Sequence, residues 1–162
     1  MRRKRDLACL LAAAAVCLAF FLARAAQAGA FCITFSVLSS PNFGTVPIGT
    51  LGENVLSSAR FQERCIPFGG IAPYVTLDYG LYAVGTQRYL AGATTPANRI
   101  AYGLYQDAPR SIVWGNTQAT GVPVANDARL HTYTVYAMIA AGGVVPNSQD
   151  TYSDTVTATL NY

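Results

Sequence analysis

The stretch from Thr151 to Tyr162, Thr-Tyr-Ser-Asp-Thr-Val-Thr-Ala-Thr-Leu-Asn-Tyr, alternates strictly enough to limit what this chain can become. Side chains on a strand point to opposite faces in turn. Tyr152, Val156, Ala158, Leu160 and Tyr162 therefore share one face, and Ser153, Thr155, Thr157, Thr159 and Asn161 the other. The pattern predicts a half-buried β-strand. No turn residues or further apolar run follow Tyr162, so the outer edge of this strand is expected either to be paired by earlier strands or to stand open. An open edge is a row of unpaired N–H and C=O groups, which aggregates unless it is made to accept a strand from another molecule.

At the other end, Arg2, Arg3, Lys4 and Arg5 precede an apolar run from Leu7 to Leu22, and Ala26-Gln27-Ala28 has the small residues of a cleavage site. Residues 1–28 are read as a secretory signal peptide. The run is about 16 residues, short of the roughly 20 that a spanning helix needs. Residues 29–162 are expected to form one exported domain with its own core. The signal carries five of the 11 basic residues and one of the 8 acidic ones, which leaves six against seven. The excess of positive charge thus belongs to the leader, and no lysine or basic cluster remains to suggest nucleic acid.

Two cysteines remain, Cys32 and Cys65. In an exported chain thiols oxidise, and two cysteines allow one pairing. Closing that loop would restrict the unfolded chain by about 3.5 kcal/mol on the chain-entropy model. The rival is a metal site, for which two cysteines and the single His131 make a poor ligand set.

Strand patterns fill the rest. Phe31, Ile33, Phe35 and Val37 alternate with Cys32, Thr34 and Ser36, and further strands are expected over 58–66, 74–79, 87–90, 99–106, 111–114 and 131–140. Gly, Pro and Asn clusters separate them, which predicts an antiparallel β-sandwich, and two cysteines roughly thirty residues apart on its first two strands are compatible with an immunoglobulin-like topology.

Chemistry is sparse. His131 heads a strand with no nucleophile elbow near it. Asp78, Asp107 and Asp154 sit where turn hydrogen bonds or Arg88, Arg99 and Arg110 can satisfy them. No glycine cluster opens a helix to cradle phosphate. The reading is non-enzymatic, with no metal and no cofactor. The ten tyrosines are compatible with sugar stacking or with cross-strand packing, and packing suits positions such as Tyr102 and Tyr133. Three loops are unusually apolar, at 66–73, 121–124 and 142–146. Phe68, Ile71, Val122, Val124, Val144 and Val145 are candidate contact residues there, unless these loops fold back on the core.

The run Ile100-Ala101-Tyr102-Gly103-Leu104-Tyr105-Gln106-Asp107, then Arg110 and Trp114-Gly115, resembles the central signature of the spore coat protein U domain. Tyr152-Ser153-Asp154-Thr155-Val156 before a terminal aromatic does so too. The order Cys32, Phe43-Gly44, Cys65 and the strand from Tyr74 agrees over nearly the whole mature chain. This family includes secreted subunits of archaic chaperone–usher pili. The resemblance implies an incomplete sandwich lacking its last strand, completed first by a periplasmic chaperone and then, through an outer-membrane usher, by another pilin subunit. Phe31, Ile33, Phe35 and Val37, with Tyr152, Val156, Ala158 and Leu160, would wall the acceptor groove, and the end at Tyr162 would anchor the chaperone. A strand-donating extension needs some ten to fifteen residues, about 35 Å or more of extended chain, before the first cysteine. Cleavage after Ala28 leaves only Gly29-Ala30-Phe31, so a position at a pilus tip or in a coat is expected. A free-standing carbohydrate-binding module and a secreted hydrolase are the other classes. The first would be a stable monomer without a chaperone, and the second would need a pocket that gathers carboxylates.

Overall fold

The computed structural model describes residues 31–67, 72–147 and 149–162. The signal-peptide reading of residues 1–28 and the contact residues Phe68 and Ile71 lie outside that range. Eleven strands and one short 3₁₀ turn, Gln118–Thr120, make up its regular structure: β1 (Phe31–Ser39), β2 (Gly49–Thr50), β3 (Val55–Ile66), β4 (Tyr74–Leu77), β5 (Arg88–Gly92), β6 (Arg99–Tyr105), β7 (Val122–Pro123), β8 (His131–Ile139), β9 (Val144–Val145), β10 (Tyr152–Ser153) and β11 (Ala158–Asn161). The all-β expectation holds. A six-stranded sheet has the order β1-β3-β8-β6-β5-β10, a three-stranded sheet the order β11-β4-β7, and β2 pairs with β9; every pairing is antiparallel. Among the described residues no helix is long and apolar enough to cross a membrane.

The core follows from period-two burial. Ala59, Phe61 and Cys65 of β3, Ile100, Tyr102 and Leu104 of β6, and Val135, Ala137 and Ile139 of β8 point inward and meet Val75 and Leu77 of β4. Trp114 fills the space between the sheets. Its ring meets Phe61 edge-on at 5.8 Å, and its indole N–H donates to the Val75 carbonyl at 2.9 Å, so the largest buried side chain has its one donor satisfied. Cys32 and Cys65 form the disulfide and are cross-strand partners on β1 and β3.

Three sequence readings need correction. The closing stretch is not one strand: Tyr152–Ser153 pairs with β5 in the large sheet and Ala158–Asn161 with β4 in the small one, so the chain crosses between sheets over 154–157. Alternation survives the crossing, because Tyr152, Asp154, Val156, Ala158 and Leu160 are all half-buried while Ser153, Thr155, Thr157 and Thr159 are exposed. The 111–114 run contributes only an isolated bridge between Val113 and Tyr105. Asp107 closes that loop on itself by accepting from the backbone N–H groups of Ser111 and Ile112 and from the Ser111 hydroxyl.

The third correction concerns β1. Its pairing with β3 slips between Cys32 and Thr34 and again between Val37 and Ser39. Partners across a ladder share a face, so Cys32, Phe35 and Val37, opposite the buried Cys65, Glu63 and Phe61, point inward, whereas Phe31 lies opposite Ile66 on the outer face. Phe31, Ile33, Phe35 and Val37 therefore do not form a single apolar row. A bulge inserts one residue and moves everything before it to the other side.

Candidate functional site

Among the described residues β1 and β11 are each the outermost strand of their sheet, and the two sheets pack against a common core. Each presents one unpaired backbone edge. Exposure shows that the β1 edge is uncovered on the inside as well. Val37 lies opposite Phe61, which is 3% exposed, yet Val37 itself is 63% exposed. Phe31, Ile33 and Leu38 are exposed too, whereas Phe35 packs on the core against Phe61 with ring centroids 5.6 Å apart. A strand edge with this much bare apolar surface is either an aggregation hazard or a docking edge.

The chain running on from β1 and the chain leading into β11 wall one open cleft of about 810 Å³. One wall is Ser40–Val46 with Ile48, the other Gln149–Asp154 with Val156. The floor is core: Leu90, Ile100, Tyr102, Leu104, Ile139 and Val145. Each wall is fixed locally. On the first, the Asn42 backbone N–H donates to the Ser57 hydroxyl at 2.8 Å, that hydroxyl donates to the Asn42 carbonyl at 2.7 Å, and the Asn42 side chain accepts from Gly44, whose φ is +67°. Phe43 then leans over Tyr102 edge-on at 6.2 Å.

Aspartates fix the second wall. Asp150 accepts from the backbone N–H groups of Thr94, Thr95 and Thr151. Asp154 accepts from those of Leu81 and Thr155 and, at 2.7 Å, from the Tyr102 hydroxyl. Asp78 accepts from Gly80 and Thr157. Partial burial pushes the Asp150 carboxyl up, but its backbone donors outweigh that and hold it below the ordinary aspartate value. Burial, reinforced by the Asp154 carboxylate, pushes the Tyr102 hydroxyl well above the usual tyrosine range, so it stays a neutral donor.

The predicted site residues divide accordingly. Tyr152, Val156, Ala158 and Leu160 come together, half-buried against the core, with Tyr152 and Val156 also lining the cleft. Tyr162 follows β11 and is 60% exposed. The loop residues do not act as a set. Among the described ones, Val124 and Val145 are core residues, the short pairing of β7 with β4 draws Val122 into partial burial, and Val144, at 64%, stands in solvent. Sequence reasoning missed the cleft floor and the Ser40–Ile48 wall. The floor residues read correctly as core, and nothing local in the sequence tells a covered core position from an uncovered one. His131 pairs with Asp127 at 2.8 Å, and among the described residues no three His, Cys, Asp or Glu side chains are placed to hold a metal.

The family model described as the spore coat protein U domain matches residues 18–159. Protein U of Myxococcus xanthus is 33% identical over 132 residues, which span 75% of this chain and 70% of that protein. Among solved structures, the chaperone–tip adhesion subunit pre-assembly complex of the archaic chaperone–usher Csu pili of Acinetobacter baumannii aligns with a TM-score of 0.48 and 23% identity, over 82% of this chain and 40% of that one. A chaperone–tip adhesin complex of CFA/I fimbriae biogenesis aligns with a TM-score of 0.41 and 8% identity, over 83% and 42%. This chain thus spans about two fifths of the length of the chains in those two structures.

Proposed function

Because the chain belongs to the spore coat protein U domain family, we propose that it is a structural subunit of an exported surface assembly, a chaperone–usher pilus or a coat, completed by a β-strand that another polypeptide supplies. The observation that carries this reading is the pairing of two open strand edges, β1 and β11, with a cleft whose floor is the hydrophobic core. A strand laid along either edge would gain main-chain hydrogen bonds. If that strand ran on between the 40–48 and 149–156 walls, its alternate side chains would enter the cleft above Leu90, Ile100 and Leu104, which would set register. Val37 would then be covered as its partner Phe61 already is. The donor is first a periplasmic chaperone, anchored near Tyr162, and then a neighbouring subunit delivered through an usher; the role is non-enzymatic.

Appending a flexible linker and a ten-residue strand of alternating apolar residues after Tyr162 tests this. The extended chain is expected to be monomeric and to melt at least about 10 °C higher than the unextended one, since a gain of 1 kcal/mol shifts the midpoint by roughly 4 °C in a domain of this size. An unextended chain that is already monomeric, with a midpoint the added strand does not move, would remove the proposal. Export through the periplasm and tip location belong to the same reading. Intact mass of the exported protein is expected to place its first residue near Gly29, too close to Cys32 for a donor extension.

A further inference from the structure

The outer face of the six-stranded sheet, on the side away from the core, has a composition that strand acceptance does not use. Partners across the ladders place Ser58, Tyr136 and Tyr105 in one row over β3, β8 and β6, with Leu56, Met138 and Gly103 in the row beside it. Tyr105 leans back over Gly103: its Cε2, Cζ and hydroxyl lie 2.5–2.7 Å from where a Cβ on residue 103 would sit. Only glycine lets this ring lie along the sheet instead of standing off it. The Arg110 guanidinium sits over the Tyr136 ring, 5.6 Å from its centroid.

Charge on this face has one sign. Outward strand positions of β1, β3, β8 and β6 carry Arg60, Arg64 and, at the far end of β6, Arg99, and no aspartate or glutamate; Arg99 donates to the Pro96 and Tyr82 carbonyls, and Arg110 reaches over from its loop. The nearby loop acids are occupied, Asp107 by Ser111 and Ile112, and Asp127 by Arg129 and His131. Arg110 donates from Nε, Nη1 and Nη2 to the carbonyls of Ala137, Ala108 and Ser57, which fixes the group and leaves two of its five N–H bonds. Among the described residues the Arg60 guanidinium has no partner at all. It stands one outward step from Ser58, about 7 Å along β3.

We propose that this face binds an acidic polysaccharide, with sugar rings stacked on Tyr105 and Tyr136 and carboxylates or sulfates held by Arg60 and Arg110. The flat aromatic row offers the apolar faces that pyranose rings need, and the hydroxyls of Ser58, Thr132 and Thr134 flank it. Three arginines match the spaced charges of a uronic-acid chain. They are too few for a nucleic-acid backbone, which carries a charge about every 1.7 Å of duplex. Because the face lies on the opposite side of the sheet from the cleft, its failure would leave the strand-accepting reading untouched.

Binding of the exported full-length chain to polygalacturonate, measured at low salt by affinity electrophoresis, tests it. Dextran serves as the neutral glycan and a single-stranded oligonucleotide as the generic polyanion. Arg60→Gln and Tyr105→Leu are each expected to weaken polygalacturonate binding at least tenfold, and Arg129→Gln, outside the face, to leave it unchanged. Circular dichroism melts of each variant separate lost binding from lost folding. A wild-type chain that does not bind polygalacturonate, or variants with unaltered binding, would overturn the site. Equal affinity for dextran would overturn the role of the arginines, and equal affinity for the oligonucleotide would overturn the assignment to a glycan.

Discussion

Arg88 is buried without a carboxylate partner. Its guanidinium donates to the carbonyls of Leu77, Asp78 and Trp114 at 2.6–3.1 Å and lies over the Tyr79 ring at 5.2 Å, so a β5 side chain ties the large sheet to the end of β4 and to the core tryptophan. Burial lowers its pKa, and its charge is met by carbonyl dipoles and an aromatic face. Arg88→Met would leave three carbonyls without their donor and is expected to cost about 3 kcal/mol or more in urea unfolding. Glu63 poses the opposite case. It is buried, Oε1 accepts a 3.3 Å bond from the Tyr133 hydroxyl, and Oε2 has no partner in full hydrogen-bond geometry among the described residues. Burial raises its pKa, with the Tyr133 bond and nearby His131 offsetting part of the rise and Asp127 adding to it. A carboxyl whose folded pKa lies above its unfolded value near 4.3 keeps the folded state favoured below that value. The advantage is lost as pH climbs through the folded pKa. The unfolding midpoint of Glu63→Gln relative to the wild type should therefore rise from pH 4 towards neutrality; a difference that stays flat over that range would show that Glu63 ionises normally.

The elements read most faithfully are those in which one face is buried from end to end. β3, β6 and β8 appear in the sequence as alternating runs and appear in the fold within a few residues of the expected bounds, because their inner positions all meet the core. Bulges and crossings were not legible. The two slips in β1 and the sheet change at 154–157 depend on partners far along the chain, above all on Asp154 reaching the Leu81 N–H and the Tyr102 hydroxyl. Polar Asp154 on an otherwise apolar face was the one local sign that the closing run is interrupted. Gly80 marks the other side of that junction: φ is +84°, and a Cβ there would collide with the Asp154 carboxylate. Gly80→Ala is thus expected to destabilise by at least about 1–2 kcal/mol, the strain of a positive φ with a displaced acceptor added to it. Amide exchange should locate the damage, with protection lost at Leu81 and Thr155 and kept along β8; uniform loss would mean that the junction is not a separable element.

At the scale of the whole molecule, the disulfide and the open edge belong to one arrangement. The sequence carries both cysteines openly, but that β1 and β11 are outermost among the described residues, and that the cleft beside them opens onto core, depends on partners far along the chain and leaves little local signature. Among the described residues β1 is an outermost strand with ladder hydrogen bonds on one side alone, to β3, and its inward Val37 is largely uncovered. The bond between Cys32 and Cys65 closes the β1–β3 excursion and holds this half-supported strand in place. Replacing both cysteines by serine should cost about 2–5 kcal/mol, read as a lower urea midpoint. The cost should also depend on the added strand. If a supplied strand docks on β1 as well as on β11, it needs β1 in position, so the stabilisation gained from the appended strand should be smaller in the Cys32→Ser/Cys65→Ser chain than in the wild type. A double-mutant cycle over the four proteins measures that coupling directly. Strict additivity would place the docking edge on β11 alone and free β1 from any part in acceptance.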